Sequence, residues 1–170
     1  MSQSLPYKDL KFSNIALYEV LETSDENDEG YILEIDLSFP EEIQDKLKEF
    51  PPCPENISPS VDWLSDFQKQ LILEKNNNKM RISNCKKLIP HFHEHKNYCI
   101  HYRNLKYVKS LGVELGKVHN IISFQQKAWL KPYIDFNTEK RKEAKNDFEK
   151  DFFKLMINSV FGKTMENVKK

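Results

Sequence analysis

Lys150, Lys154 and Asn158 recur at intervals of four near the C-terminal end of this 170-residue chain, and Phe161 follows three further on. On a helix these positions share one face, so two ammonium groups, an amide and an aromatic ring stand together. Such a set can grip phosphate through charge-assisted hydrogen bonds. Asp147 and Asp151 border the face. The same residues also fit an ordinary solvated face, whose ion pairs contribute about a few tenths of a kcal/mol each.

Gly162-Lys163-Thr164 raises a rival chemistry, because this tripeptide also ends a P-loop. That loop requires glycine at position 157, which is Ile157, and it should follow a strand, whereas FFKLM continues a helix. Lys163, past an expected break at Phe161-Gly162, is therefore not the phosphate ligand of choice.

The element that must carry these residues is a long last helix. Asn137 or Thr138 can cap it, Glu139 lies in its first turn, and no Gly or Pro interrupts it before Gly162. Ala144, Phe148, Phe152 and Leu155 form a stripe expected to face the core. Upstream, residues 16–22 (ALYEVLE) and 31–37 (YILEIDL) suggest two strands of a hairpin around SDENDEG, with Tyr31, Leu33, Ile35 and Leu37 on one side and Glu34 and Asp36 on the other. Residues 50–60 carry four prolines and suggest an extended loop. A helix is expected over Asp62 to Lys75, a strand over 98–102, a short helix ended by Gly112, and a strand over 117–124. The fold class is α+β.

The formal net charge is zero, but its distribution is uneven. Residues 18–45 hold eleven acids and no Lys or Arg, while residues 74–131 hold twelve basic residues and three acids. One half can thus face an anion, or the two can be solvated surfaces of opposite sign. Cys53, Cys85 and Cys99 form no CxxC pair and no even disulfide framework, which fits a reducing, intracellular setting. No run suits a membrane span, and MSQSLPYKDL lacks the features of a signal peptide.

His91, His93 and His95 alternate between Cys85 and Cys99. Zinc ligand sets usually show tighter paired spacings, so solvated loop histidines and no metal are expected. Tyr102, Arg103, Trp129 and Tyr133 suit either base stacking or, more commonly, the core.

Lys154, Asn158, Ser159, Phe161 and Gly162 match the fingers-helix signature K-x-x-x-N-S-x-Y-G of family B DNA polymerases, with Phe161 in place of Tyr. The longer run WLKPYIDFNTEKRKEAKNDFEKDFFKLMINSVFGKTMEN, together with GYILEIDL, FPEEIQD, KKLIP and HYRNLKYVKSLGVELGKVHNIISFQQKAWLKPYIDF, resembles the protein-primed polymerases of virus-like DNA transposons of the Polinton or Maverick type. Ile157 stands where Asn is expected in that branch.

The resemblance implies a partial polymerase palm and fingers. Residues 1–15 would be a remnant following the first palm motif, 16–125 a palm insertion like the terminal-protein region, and 126–170 the fingers helix. It implies that Lys154 contacts the phosphates of an incoming deoxynucleoside triphosphate, that Asn158 and Phe161 lie near its sugar and base, and that Lys150 and Lys142 add charge. Arg103, Lys131 and Lys145 would meet the DNA template-primer. A terminal protein would be the primer, Mg2+ the cofactor of the complete enzyme, and the nucleus its location.

The two metal aspartates of the family lie in a D-x-x-S-L-Y-P type motif before the fingers and a D-T-D type motif after them. Asp36 in DLSFP is two residues too short for the first, which favours a structural role for it. Met1 reads as an internal methionine, so the chain is expected to be a fragment, inactive alone. The alternatives are a nonenzymatic DNA- or protein-binding module retained from a transposon, or an unstable relic.

Overall fold

The computed structural model describes residues 3–80 and 82–166. Met1, and Asn167 at the end of the matched run, lie outside them. The elements in chain order are β1 (Leu5–Phe12), α1 (Leu17–Glu22), β2 (Glu29–Ser38), α2 (Glu41–Leu47), β3 (Glu55–Ile57), a 3-10 turn at Val61–Trp63, α3 (Asp66–Lys75), β4 (Lys87–Ile89), β5 (His95–His101), α4 (Tyr102–Ser110), β6 (Glu114–Lys127), α5 (Lys131–Glu143) and α6 (Asp147–Thr164). Helices and strands mix as an α+β fold. A four-stranded sheet has the order β1-β6-β2-β5, and β3 pairs with β4 in a second, two-stranded sheet.

The chain divides into two compact units: residues 1–33, 100–103 and 120–170 in one, and residues 34–99 and 104–119 in the other. In the first, β1 runs antiparallel to β6, with Leu5 opposite Lys127 and Phe12 opposite Ile122. Tyr102 is fully buried. Its hydroxyl donates to the Ser24 carbonyl at 3.2 Å and accepts from Gln126 Nε2 at 2.9 Å, which satisfies a polar group that burial would otherwise penalise. Gly30 lies beside this network, where an added Cβ would stand 2.6 Å from the Phe124 ring and 2.7 Å from Gln126 Oε1.

Leu17–Glu22 form α1 rather than a strand, so the expected hairpin is absent. Val20 is buried and Leu17 and Leu21 are half-buried, the three-and-four spacing of a helix face. β2 behaves as its alternation predicts: Tyr31, Leu33, Ile35 and Leu37 are all buried.

The long C-terminal helix is present as α6, but it starts at Asp147 rather than beside Asn137, and a separate helix, α5, precedes it. α5 begins at Lys131, with Pro132 in its first turn, and ends where Ala144 turns to ψ 132. Asn137 caps nothing; it is buried within α5 and donates through Nδ2 to the Tyr133 carbonyl at 2.8 Å. Asn146 instead starts α6: its side-chain oxygen accepts from Glu149 N at 2.8 Å, and its Nδ2 donates to Glu149 Oε1 at 3.1 Å. That capped start resets the helical phase. The expected core stripe is consequently overturned: Phe148 is 80% exposed, with Phe152 and Leu155 also exposed. Phe153, Met156, Ile157 and Val160 are the less exposed apolar residues of α6, which packs against α5, and Tyr133 Oη donates to the Met156 carbonyl at 3.2 Å.

In the second unit, α4 ends in a Schellman closure. Val113 N donates to the Val108 carbonyl at 3.2 Å and Gly112 N to the Lys109 carbonyl at 3.0 Å, with Gly112 at φ 97, where glycine carries no Cβ penalty. α3 starts later than expected, at Asp66. Ser65 accepts from Gln68 N at 3.2 Å and donates from its own backbone to Gln68 Oε1 at 2.9 Å, a reciprocal cap. Among the described residues no helix is long and apolar enough to cross a membrane.

Candidate functional site

α6 displays Lys150, Lys154, Asn158 and Phe161 as exposed residues. Lys150 Nζ pairs with Asp147 Oδ1 at 3.2 Å, while Lys154 makes no ion pair among the described residues. The helix continues through Gly162 to Thr164, so the expected aromatic-glycine break is absent; an added Cβ at Gly162 would meet nothing within 4 Å. Gly162-Lys163-Thr164 thus ends a helix, the opposite of a P-loop, whose amides open one. Lys163 pairs with Glu166.

The other basic residues are dispersed. Lys142 lies in the last turn of α5, a separate helix from Lys154. Lys145 is exposed in the link between α5 and α6. Lys131 pairs with Asp135 one turn away. Arg103 is half-buried, and its guanidinium donates to Gln3 Oε1 at 3.1 Å and to the Asp25 carbonyl. Tyr102 belongs to the core, whereas Trp129 is half exposed.

Asp36 is held by structure. Its Oδ1 accepts from the Asn97 amide at 2.9 Å and faces His119 Nε2 at 2.8 Å, and Lys96 Nζ lies 3.8 Å from Oδ2. The Asn97 hydrogen bond first, and that of His119 second, hold this carboxyl below its ordinary value.

The solvated-histidine expectation holds for His93, which is exposed, and fails for its two neighbours in the second unit. The His95 side chain is fully buried and that of His91 is 8% exposed. Pairing of β3 with β4 sets Glu55 opposite Ile89, which brings its carboxylate to the histidines that follow. Glu55 Oε2 lies 3.0 Å from His91 Nε2 and 3.9 Å from His95 Nε2. The two imidazoles stack at 4.5 Å, and Trp63 stacks on His93 at 4.5 Å. Cys53, at φ 60, directs its carbonyl to 2.7 Å from His95 Nε2, while His95 Nδ1 lies 2.7 Å from the His93 carbonyl. Burial first, and the neighbouring His95 second, push the His91 imidazole below its ordinary value. Cys85 and Cys99 are exposed and stand outside this group. Nothing in the histidine spacing revealed Glu55, which arrives from the proline-rich segment through strand pairing.

Among the described residues, Glu55, His91 and His95 are the one group of three potential ligands, and two imidazoles suit zinc and its neighbours rather than magnesium, which takes oxygen. No protein-family model, curated protein or solved structure matches this chain.

Proposed function

We propose that this chain serves protein-primed DNA synthesis as part of a DNA-directed DNA polymerase, contributing contacts to the incoming nucleotide rather than the metal ions. The reaction is nucleotidyl transfer: a primer hydroxyl, first on a terminal protein and later on DNA, attacks the α-phosphate of a deoxynucleoside triphosphate and pyrophosphate leaves. The observation that supports this reading is the display of Lys154, Asn158 and Phe161 on exposed positions of one capped helix. An exposed ammonium without an ion pair can meet a triphosphate without first breaking a salt bridge. Lys150 and Lys142 add positive charge, Lys131 and Lys145 meet template-primer DNA, and the nucleus is the location this reading carries.

The test is titration of the chain with a deoxynucleoside triphosphate, followed by amide chemical shifts. Shifts centred on Lys154 and Asn158, lost in Lys154→Ala and kept in Lys163→Ala, are expected. Saturable binding that ignores Lys154 would sink this reading. A second reading, a nonenzymatic DNA- or protein-binding module, draws on Phe148, Phe152 and Leu155, whose exposed apolar surface on α6 suits a macromolecular partner.

A further inference from the structure

Two buried imidazoles of the second unit lack ordinary hydrogen-bonding solutions. Neither nitrogen of His91 makes a hydrogen bond of acceptable geometry among the described residues, even though Nε2 stands 3.0 Å from Glu55 Oε2. Buried polar groups rarely go unpaired, and one that does asks for an explanation such as an ion.

His95 poses the converse problem. Both of its ring nitrogens lie 2.7 Å from carbonyl oxygens, those of His93 and Cys53. A neutral imidazole carries one N–H, so one of these contacts sets lone pair against lone pair unless the ring is charged or a cation is shared. A hydrogen bond from Nδ1 to the His93 carbonyl leaves the Nε2 lone pair facing Glu55 and the Cys53 oxygen, the arrangement by which outer-shell carbonyls orient metal-bound histidines.

We propose that Glu55, His91 and His95 bind one divalent transition-metal ion, zinc in the first instance, through Oε2 and the two Nε2 atoms. One ligand atom from each of the three residues lies within 4.8 Å of the others. Tetrahedral ligands about 2.0 to 2.1 Å from zinc stand about 3.3 Å apart, so the 3.0 Å pair must open slightly and the 3.9 Å pair must close. One carboxylate and two neutral imidazoles bring a single negative charge to a doubly charged cation. The Cys53 carbonyl or water completes the set. The ion would tie the proline-rich segment to the start of β5, a structural role independent of the polymerase reading.

The test uses the whole chain, stripped of metal with a chelator and titrated with Zn2+ by calorimetry, then with Co2+ by absorption spectroscopy. One equivalent of Zn2+ should bind, and Co2+ should give ligand-field bands without a thiolate charge-transfer band. Glu55→Gln and His91→Gln should each weaken binding by at least about 100-fold, the upper end of what loss of even an outer-shell partner does. His93→Gln, Cys85→Ser and Cys99→Ser should leave it unchanged. Circular dichroism checks each variant. Glu55 is partly exposed, so Glu55→Gln serves if His91→Gln fails to fold. Absence of stoichiometric binding by the folded chain, binding undiminished in Glu55→Gln, or a thiolate band that disappears with Cys85→Ser or Cys99→Ser would overturn the proposal.

Discussion

His119 on β6 sets its Nε2 2.8 Å from Oδ1 of Asp36 on β2, on the same oxygen that receives the Asn97 amide. These contacts hold the Asp36 carboxyl below its ordinary value, so the folded chain keeps this carboxylate ionised where the unfolded chain has begun to bind a proton. The stabilisation is therefore full above the ordinary carboxylate value and is lost as pH falls through the depressed folded value. Asp36→Asn should lower the denaturation midpoint near neutrality, and its difference from the parent should shrink on acidification. A difference constant across that window would refute the assignment.

Asn146 makes the second prediction. Its side chain accepts from Glu149 N at 2.8 Å and separates α6 from α5. Asn146→Ala should destabilise the chain by about 1 kcal/mol, whereas Asn146→Gly should cost only about a few tenths. Chemical denaturation gives the magnitudes, and faster amide exchange over Asp147 to Glu149 would localise the loss.

What was legible in the sequence divides along the same lines. β2 could be read because period-two alternation over Tyr31 to Leu37 has no helical competitor, and the end of α4 because Gly112 supplies a positive φ. α1 could not, since ALYEVLE is a short apolar run in which Leu17, Val20 and Leu21 fit a helix as well as their neighbours fit a strand. The break before α6 was hidden because a side-chain cap performed it, without Gly or Pro. The lysine face survived this error, as Lys150, Lys154 and Asn158 all lie beyond the break and keep their mutual phase. The histidine cluster was illegible for a different reason: its carboxylate is supplied by pairing of β3 with β4, a non-local event that no spacing around His91 records.

Cysteine reactivity provides a third prediction. Burial pushes the Cys53 thiol up to about 11, while Cys85 and Cys99 are exposed. Since the thiolate is the nucleophile, alkylation of the native chain near neutral pH should modify Cys85 and Cys99 rapidly and spare Cys53 until denaturant is added. Peptide mapping by mass spectrometry reads the order of labelling; early modification of Cys53 in folded protein would contradict the burial of this turn.

The last prediction separates the two lysines of the C-terminal motif. Lys154 stands exposed on α6 without an ion pair among the described residues, whereas Lys163 pairs with Glu166 at the end of the same helix. If α6 is a nucleotide-binding fingers helix, a complete polymerase rebuilt around this sequence should suffer more from Lys154→Ala than from Lys163→Ala. Losing one charge-assisted phosphate contact should cost roughly 1.5 to 3 kcal/mol, or about 10- to 150-fold in kcat/KM for the nucleotide. A contact made equally in the ground and transition states would appear in KM, and one that strengthens during transfer would appear in kcat. Both variants need the same thermal unfolding profile as the parent, because α6 packs against α5 and a loosened helix would lower activity without touching phosphate. A larger nucleotide-dependent loss from Lys163→Ala than from Lys154→Ala would move the phosphate grip to the helix end and remove the main support for the fingers-helix reading.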